Sequence, residues 1–291
     1  MLIRFALLTA IISLLPSCGG LSLPSASAPP APPYPPGTRP LLLALYHPYP
    51  DFRDLPPGVR PLPAYSGWPA SRMERDLERL REVGFDGVLL AVSPQSLADN
   101  FLAKAVVTFQ SLAAEQSPVF QVGLLLTPPA PMALREDNVV NYLNSHGMLS
   151  PNSVLQIDGK PFIGYSENIS LTAAPQSGCS RRQLGREWPS LPRGATAPSP
   201  DSGLGAEGVC WVRAADRGID GAWSEPARWP LTRQRAGALT EGLRRAFAAQ
   251  AKIIIVSSWN HYQDGSFMEP NTFDQDLMFK AMQTELRRAG L

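Results

Sequence analysis

The chain has 291 residues, of which 44% are hydrophobic and 18% are charged. This apolar content is enough for one large core or two small ones, and it is too high for a disordered protein. The 26 basic and 25 acidic residues leave a net charge of +1, which argues against a nucleic-acid binder that works by neutralising phosphates. Three cysteines are too few for a disulfide-rich scaffold, and the 31 prolines are roughly twice the average share.

The first residues predict an export signal. Arg4 supplies a positive charge, and residues 5–15 form a short apolar segment. Ser17 then precedes Cys18, an arrangement that resembles the lipobox of bacterial lipoproteins. This resemblance implies cleavage before Cys18 and attachment of lipid to it. The alternative is an ordinary secretory signal with an incidental cysteine.

The chain therefore divides into a signal peptide (1–17), a lipidated cysteine with a proline-rich linker (18–40) and a folded domain (41–291). The prolines of residues 29–36 favour an extended polyproline II spacer. Because Gly19 and not an aspartate follows the cysteine, we expect the bacterial cell envelope as the location, at the outer membrane or the cell surface. The lipid anchor would be the only membrane contact, and we expect a monomer.

The folded part alternates short apolar runs with amphipathic segments, which predicts strands alternating with helices. In chain order the predicted elements are a strand over 41–46, a helix from a capping box at 71–74 to Gly84, a strand over 86–92, a helix over 98–115, a strand over 120–126, a helix over 136–145, a strand over 161–165, a strand over 208–213, a helix over 232–250, a strand over 252–258 and a helix over 273–286.

This alternation favours the α/β class, with a parallel sheet covered by helices. About 251 residues remain after the linker, which is the size of one (β/α)8 TIM-type barrel. Between residues 168 and 250 only one strand is evident, so we expect the barrel to be irregular or incomplete there. Active sites in such folds lie at the carboxyl ends of the strands, which directs attention to residues 46–47, Ser93, Thr127 and 165–167.

Other motifs in the sequence do not indicate a cofactor or a metal site. Residues 203–208 match G-x-G-x-x-G, but a strand and not a helix is predicted to follow, so no dinucleotide cofactor is expected. His47, His146 and His261 lack metal-ligand spacing, and we expect neither a metal nor any other cofactor. If Cys18 carries lipid, a disulfide between Cys179 and Cys210 would tie down the segment between them; the alternative is two free thiols.

The chemistry concentrates in residues 259–270, directly after the strongest predicted strand. This stretch combines aromatic rings, a histidine, an amide and two carboxylates. Aromatic rings stack on the apolar faces of sugars, amides bind the hydroxyl rims, and carboxylates act as acid, base or nucleophile at the anomeric carbon. The stretch therefore indicates a sugar site, although a polar scaffold loop is the plainer alternative.

The same stretch, read as Trp259-Asn260-x-x-x-Asp264-Gly265-x-x-x-Glu269-Pro270, resembles the W/F-N-E-W-x-E-G-x-x-x-E-P signature of glycoside hydrolase family 99 and its WbsX-like relatives. Residues 45–49 and 159–162 resemble that family's first strand ending and its G-K-P strand opening. The resemblance implies a (β/α)8 barrel, and the characterised hydrolases of the family are endo-α-mannosidases.

The family's two signature glutamates fall on His261 and Asp264. In the family the first assists the substrate 2-hydroxyl and the second is the acid/base, so the resemblance implies that Asp264 is the acid/base. His261 could act as a general base, because histidine titrates near neutrality. Glu167 is a candidate replacement carboxylate, and Glu269 is a further candidate for catalysis or polar contact.

We thus expect a glycoside hydrolase that acts on a glycan. The alternative is a non-catalytic glycan-binding or envelope-associated lipoprotein on the same barrel, which the missing glutamate favours, and a third interpretation gives the motif only a structural role. The predicted catalytic residues are Asp264, His261, Glu269 and Glu167; the predicted sugar-binding residues are Tyr46, His47, Trp68, Trp259, Asn260 and Tyr262.

Overall fold

The computed structural model describes residues 38–48, 59–64, 67–149, 152–157, 159–166, 169–172, 180–183, 209–213, 232–262 and 266–291. Cys18, Cys179, Glu167 and Asp264 lie outside these ranges, as does nearly all of the predicted signal and linker. The predicted lipid site, disulfide and two of the catalytic carboxylates therefore stay predictions.

The described strands are β1 (Leu41–Tyr46), β2 (Gly87–Val92), β3 (Gln121–Leu126), β4 (Met132–Arg135), β5 (Gln156–Ile157), β6 (Lys160–Tyr165), β7 (Ile169–Thr172), β8 (Ser180–Gln183), β9 (Val209–Arg213), β10 (Ile253–Ser257), β11 (Asn260–His261) and β12 (Ser266–Phe267). The described helices are α1 (Ala70–Val83), α2 (Pro94–Leu97), α3 (Asn100–Ala114), α4 (Glu136–Ser145), α5 (Thr232–Ala248) and α6 (Leu277–Arg288). Within these residues no helix is long and apolar enough to cross a membrane.

Parallel strands form the main sheet, in the order β8-β6-β3-β2-β1-β10-β9. β10, the last of these strands in the chain, pairs with β1, the first, with Leu41 opposite Ile253. This pairing wraps the sheet around as a barrel does, and helices lie between β1 and β2, between β2 and β3, between β3 and β6 and between β9 and β10. The fold is therefore α/β with a barrel-type parallel sheet, although no pairing between β8 and β9 is recorded among the described residues.

The alternation of side chains along each strand separates two apolar layers. Inside the curved sheet lie Leu43, Leu45, Leu89, Leu125 and Ile255, which belong to one cluster. The residues between them, such as those at positions 42, 44 and 46 of β1, face outward and pack with α1, α3, α5 and α6 in a second, larger cluster. The face on which a strand residue lies therefore decides whether it can reach the barrel interior.

Several element boundaries differ from the sequence-based expectation by one to four residues, and for the starts of two helices the structure shows the cause. Helix α1 begins at Ala70 after Pro69, without a side-chain cap, so the predicted capping box at Ser71 is wrong. Proline's restricted φ suits a helix start, and the Pro69 carbonyl accepts hydrogen bonds from the N–H groups of Arg72 and Met73. Helix α6 begins at residue 277 and not at 273, because the Asn271 side-chain oxygen accepts the backbone N–H groups of residues 273 and 274 and holds a turn there.

The region between residues 168 and 250 also differs from expectation. Only one strand was predicted there, and the structure has β7, β8 and β9. β8 continues the parallel sheet beside β6, and β9 continues it beside β10. β7 pairs with β4 in a separate small sheet that follows the carboxyl ends of β3 and β6.

Candidate functional site at the carboxyl ends of β1 and β10

The carboxyl ends of β1 and β10 are tied together by one side chain. Asn260 is completely buried, and its amide nitrogen donates to the carbonyl of His47 at 2.8 Å. The Asn260 amide oxygen accepts the backbone N–H of His47, also at 2.8 Å. The asparagine side chain thus pairs with the backbone of His47 as a neighbouring strand would. It fixes the position of His47 directly after the end of β1.

Two histidine rings meet at this junction. The rings of His47 and His261 are stacked, with centroids 4.2 Å apart and planes 18° from parallel. The backbone N–H of His261 donates to the Ser258 hydroxyl at 2.9 Å. Because alternation from Leu43 and Leu45 places residue 47 on the inner face, the stacked pair lies where the strand ends open onto the barrel interior.

Trp259 holds the loop after β10 against β1. Its backbone N–H donates to the Leu45 carbonyl at 2.7 Å, and its own carbonyl accepts the N–H groups of Met268 and Glu269. Its indole is completely buried and belongs to the outer apolar cluster. In this structure Trp259 therefore packs in the core and presents no ring face to solvent.

Glu269 and Tyr262 form a buried pair. The Tyr262 hydroxyl donates to the Glu269 carboxylate at 2.9 Å, and both residues are buried. Burial, followed by the nearby Glu269 charge, raises the pKa of Tyr262 well above its usual range. The tyrosine therefore stays protonated and donates to the Glu269 carboxylate.

Tyr46 belongs to a buried network beneath α1 that adjoins the Tyr262–Glu269 pair, since the Glu269 charge acts on Tyr46. Its hydroxyl donates to Asp76 at 2.5 Å, and Asp76 lies 3.3 Å from the guanidinium of Arg72. Burial raises the pKa of Tyr46 well above its usual range. Burial also raises the pKa of Asp76, and the Arg72 charge opposes that rise. The ring of Trp68 packs 5.8 Å from that of Tyr46, so both aromatics lie in the layer between sheet and helices.

A third buried charge anchors the start of α5. Arg235 is fully buried, pairs with Asp274, and donates to the Phe267 carbonyl at 2.7 Å. Its guanidinium also lies 4.1 Å from the centroid of the Phe267 ring, which is within cation–π range. Arg235 thus supports the far end of the loop that carries His261 and Glu269.

The sequence reasoning missed these supporting charges. Arg72 and Asp76 are separated by four residues on one helix, and both lie on its buried face, so a charged pair at that spacing among apolar positions was the available signal. Arg235 had no such signal, since its partner Asp274 is 39 residues away.

The predicted site residues fall into three groups. His47, Asn260 and His261 come together at the strand ends. Tyr262 and Glu269 form a buried pair, and the Glu269 charge also acts on Tyr46. Tyr46, Trp68 and Trp259 pack in the layer outside the sheet, whereas Glu167 and Asp264 lie outside the described residues.

Further polar side chains follow the strands on the inner face. Ser166 comes two residues after Gly164 of β6, and only 5% of it is exposed. Its hydroxyl makes no hydrogen bond to any described residue. Ser93, Thr127 and Ser257 end the inner rows of β2, β3 and β10 in the same way. The Ser93 hydroxyl already bonds to Gln95, whereas a hydroxyl such as that of Ser166 is suited to hydrogen-bond a polyhydroxylated ligand.

A metal site and a groove elsewhere on the molecule have less support as functional sites. No three His, Cys, Asp or Glu side chains in the described ranges come together as a metal would require. A groove of about 540 Å³ lies between α1, α6 and the segment around Leu62. None of the predicted site residues lines it.

No protein-family model matches the sequence, and no curated protein is similar to it at a significant level. Solved structures are similar. An endo-α-mannosidase of glycoside hydrolase family 99 from Bacteroides thetaiotaomicron, in complex with bis-tris propane, aligns with a TM-score of 0.61 at 11% identity and covers 87% of this chain and 99% of its own.

A second structure of a family 99 endo-α-mannosidase from that organism aligns with a TM-score of 0.57 at 12% identity, over 87% of this chain and 99% of its own. A glycoside hydrolase-like protein aligns with a TM-score of 0.60 at 10% identity, over 90% of this chain and 97% of its own. At these identities the likeness concerns the fold. The chain therefore has the fold of glycoside hydrolase family 99, as the resemblance of its last loop predicted.

Proposed function

We propose that the protein binds a glycan at the carboxyl end of its barrel and hydrolyses it, with Asp264 as the acid/base. The observation that carries the proposal is the location of the signature-like loop. It leaves β10, is anchored on β1 by Trp259 and Asn260, and brings His261 to the strand ends in a family 99-type fold. In such barrels the strand ends are where substrates bind.

Two features support this choice of catalytic residue. Glu269 is engaged by Tyr262 inside the loop, and Asp76 is engaged by Tyr46 and Arg72 beneath α1. Both carboxylates thus already accept a hydrogen bond from a buried tyrosine. Catalysis would therefore rest on Asp264, with Glu167 as the second carboxylate and His261 in the place of the family's first glutamate.

Hydrolysis tests the proposal directly. The full chain is incubated with mannans and other polysaccharides, and the products are identified by mass spectrometry. Asp264→Asn should lower the rate by about 10²–10⁴-fold, and Asp276→Asn, an exposed carboxylate at the start of α6, should leave it unchanged. Full activity of the Asp264→Asn protein would refute the assignment.

Non-catalytic glycan binding is the second candidate, and the histidine at position 261 favours it. Its imidazole stacks on His47 and lacks the carboxylate oxygens that would assist a sugar hydroxyl. In this case the wild-type protein binds glycans without releasing products, and Asp264→Asn binds equally well. His261→Glu, which restores the family residue, would then be the variant in which to look for hydrolysis.

We also propose that Cys18 carries the lipid that anchors the protein in a bacterial envelope. The support is the apolar segment and the small residue that precede the cysteine. Expression in a bacterial host with a labelled fatty acid should label the wild-type protein and Cys179→Ser but not Cys18→Ser. Labelling of Cys18→Ser would contradict the proposal.

A further inference from the structure

Neighbouring strands of the barrel end in a row of hydroxyl side chains. The strand pairings align the last residues of β2, β3 and β6 with one another. The N–H of Thr127 donates to the Val92 carbonyl, which extends this ladder by one residue. The N–H of Ser166 extends it in the same way by donating to the Leu126 carbonyl. Ser93, Thr127 and Ser166 therefore stand side by side, with neighbouring strands about 4.8 Å apart.

The row lies on the inner face of the sheet. Ala91 and Leu125 precede it by two positions in β2 and β3, and both belong to the inner apolar cluster. In β6, Tyr165 belongs to the outer cluster, so alternation turns Ser166 inward. The register of β1 with β2 places His47 level with Ala91, so the stacked imidazoles lie next to the β2 end of the row.

The hydroxyls of the row differ in their hydrogen-bond partners. Ser93 accepts the backbone N–H of Gln95 and donates to its side-chain oxygen, which caps α2. The Ser166 hydroxyl is buried, and it makes no hydrogen bond to any described residue. Ser153 is buried as well, yet its hydroxyl donates to the Gln110 carbonyl. Because a buried hydroxyl without a partner destabilises the free protein, Ser166 is the member of the row that gains most from a ligand.

We propose that Ser166, together with Thr127 beside it, binds a hydroxyl group of the glycan and selects sugars that carry this group. A serine or threonine hydroxyl both donates and accepts hydrogen bonds, as a sugar hydroxyl does. A sugar that lacks the group leaves the buried serine unpaired, so it binds more weakly. This inference rests on the proposed glycan binding and names the side chains that select the ligand.

Binding measurements on the full chain test the contact. Neutral trisaccharides of mannose, glucose and galactose are titrated by calorimetry into Asp264→Asn, so that hydrolysis does not disturb the titration. Adding Ser166→Ala should weaken the tightest of these probes by about three- to tenfold, the range for one hydrogen bond. Thr127→Val should also weaken it, whereas Ser153→Ala, the matched control, should not.

Deoxy sugars then identify the group that is bound. Each monodeoxy derivative of the tightest trisaccharide is titrated into the same proteins. One derivative should bind about three- to tenfold more weakly than the parent sugar to Asp264→Asn, and as well as the parent sugar once Ser166→Ala is added. If every derivative loses the same affinity in both proteins, Ser166 contacts no sugar hydroxyl.

Thermal unfolding without sugar distinguishes a ligand contact from a structural one. Ser166→Ala removes a hydroxyl that has no described partner, so the thermal midpoint should stay the same or rise. Ser153→Ala removes a bonded hydroxyl and should lower the midpoint by about 2–4 °C. An equal fall in Ser166→Ala would show that its hydroxyl is already bonded in the free protein, which would overturn the inference.

The proposed function and this inference can fail separately. If Asp264→Asn abolishes hydrolysis but Ser166→Ala in the wild-type chain changes neither KM nor affinity, the proposed function stands and the Ser166 contact is refuted. If Ser166→Ala weakens sugar binding but the wild type hydrolyses nothing, the contact is supported and catalysis is refuted. No binding of any of the trisaccharides would overturn the inference.

Discussion

Replacing Asn260 should disturb both the stability of the fold and the geometry of the candidate site. Its amide makes two hydrogen bonds of 2.8 Å with the backbone of His47, and all of these groups are buried. Asn260→Ala leaves a buried N–H and a buried C=O without this partner, at about 1–3 kcal/mol for each. We therefore expect the free energy of unfolding to fall by about 2–6 kcal/mol.

Urea or guanidinium denaturation measures this loss. Asn141→Ala is the matched control, since Asn141 is exposed on α4 and should change the free energy of unfolding by less than about 0.5 kcal/mol. If Asn260→Ala matches this control with an unchanged denaturant slope, the amide does not tie β1 to β10 energetically.

The three histidines of the chain report on geometry in the same variant. Asn260→Ala should shift the ring resonances of His47 and His261, because the amide positions the first ring of the stacked pair. His146 stacks on Tyr142 instead, so its ring resonances should not move. Unchanged spectra for all three rings would refute the positioning role even if stability falls.

Three further predictions concern the buried networks and the inner face. The pKa values of Tyr46 and Tyr262 are raised, so above pH of about 10 the unfolded state loses these protons first, and stability should fall by up to about 1.4 kcal/mol per pH unit for each tyrosine. Either Tyr→Phe variant should make the alkaline decline of the denaturation midpoint shallower, and an unchanged slope would contradict the assignment. Arg235→Met removes the partner of buried Asp274 and should cost about 3–5 kcal/mol in the same assay; a loss below 1 kcal/mol would show that the pair contributes little. Gly123→Ala places a methyl group 2.7 Å from a leucine side chain and should cost about 1–3 kcal/mol, whereas a thermal midpoint equal to the wild type would mean that the inner layer has room for it.

Local pattern predicted most of the regular structure. The helix over 136–145 was predicted with its observed bounds, and the strands at 41–46 and 87–92 were predicted to within one residue. These segments are long apolar or amphipathic runs bounded by proline or glycine, for which periodicity is a strong signal. β4, β7 and β8 were missed because they are four residues long, which is too short for a period to be recognised.

The candidate site was predicted in part, for a related reason. The loop after β10 was recognised from its composition and motif, and it does reach the end of β1 through Trp259 and Asn260. The sequence did not reveal which of the side chains would face the interior. Glu269 has the chemistry of a catalytic residue, yet its carboxylate accepts from Tyr262 inside the loop.

The amino-acid sequence alone determined the alternation of strands and helices and the location of the site-bearing loop, because these depend on residues close together in the chain. Only the tertiary structure decided that Tyr46 packs under α1 while His47, the next residue, stacks on His261. The physical reason is that a strand turns successive side chains to opposite faces, and a partner 30 or 213 residues away then determines what each one does.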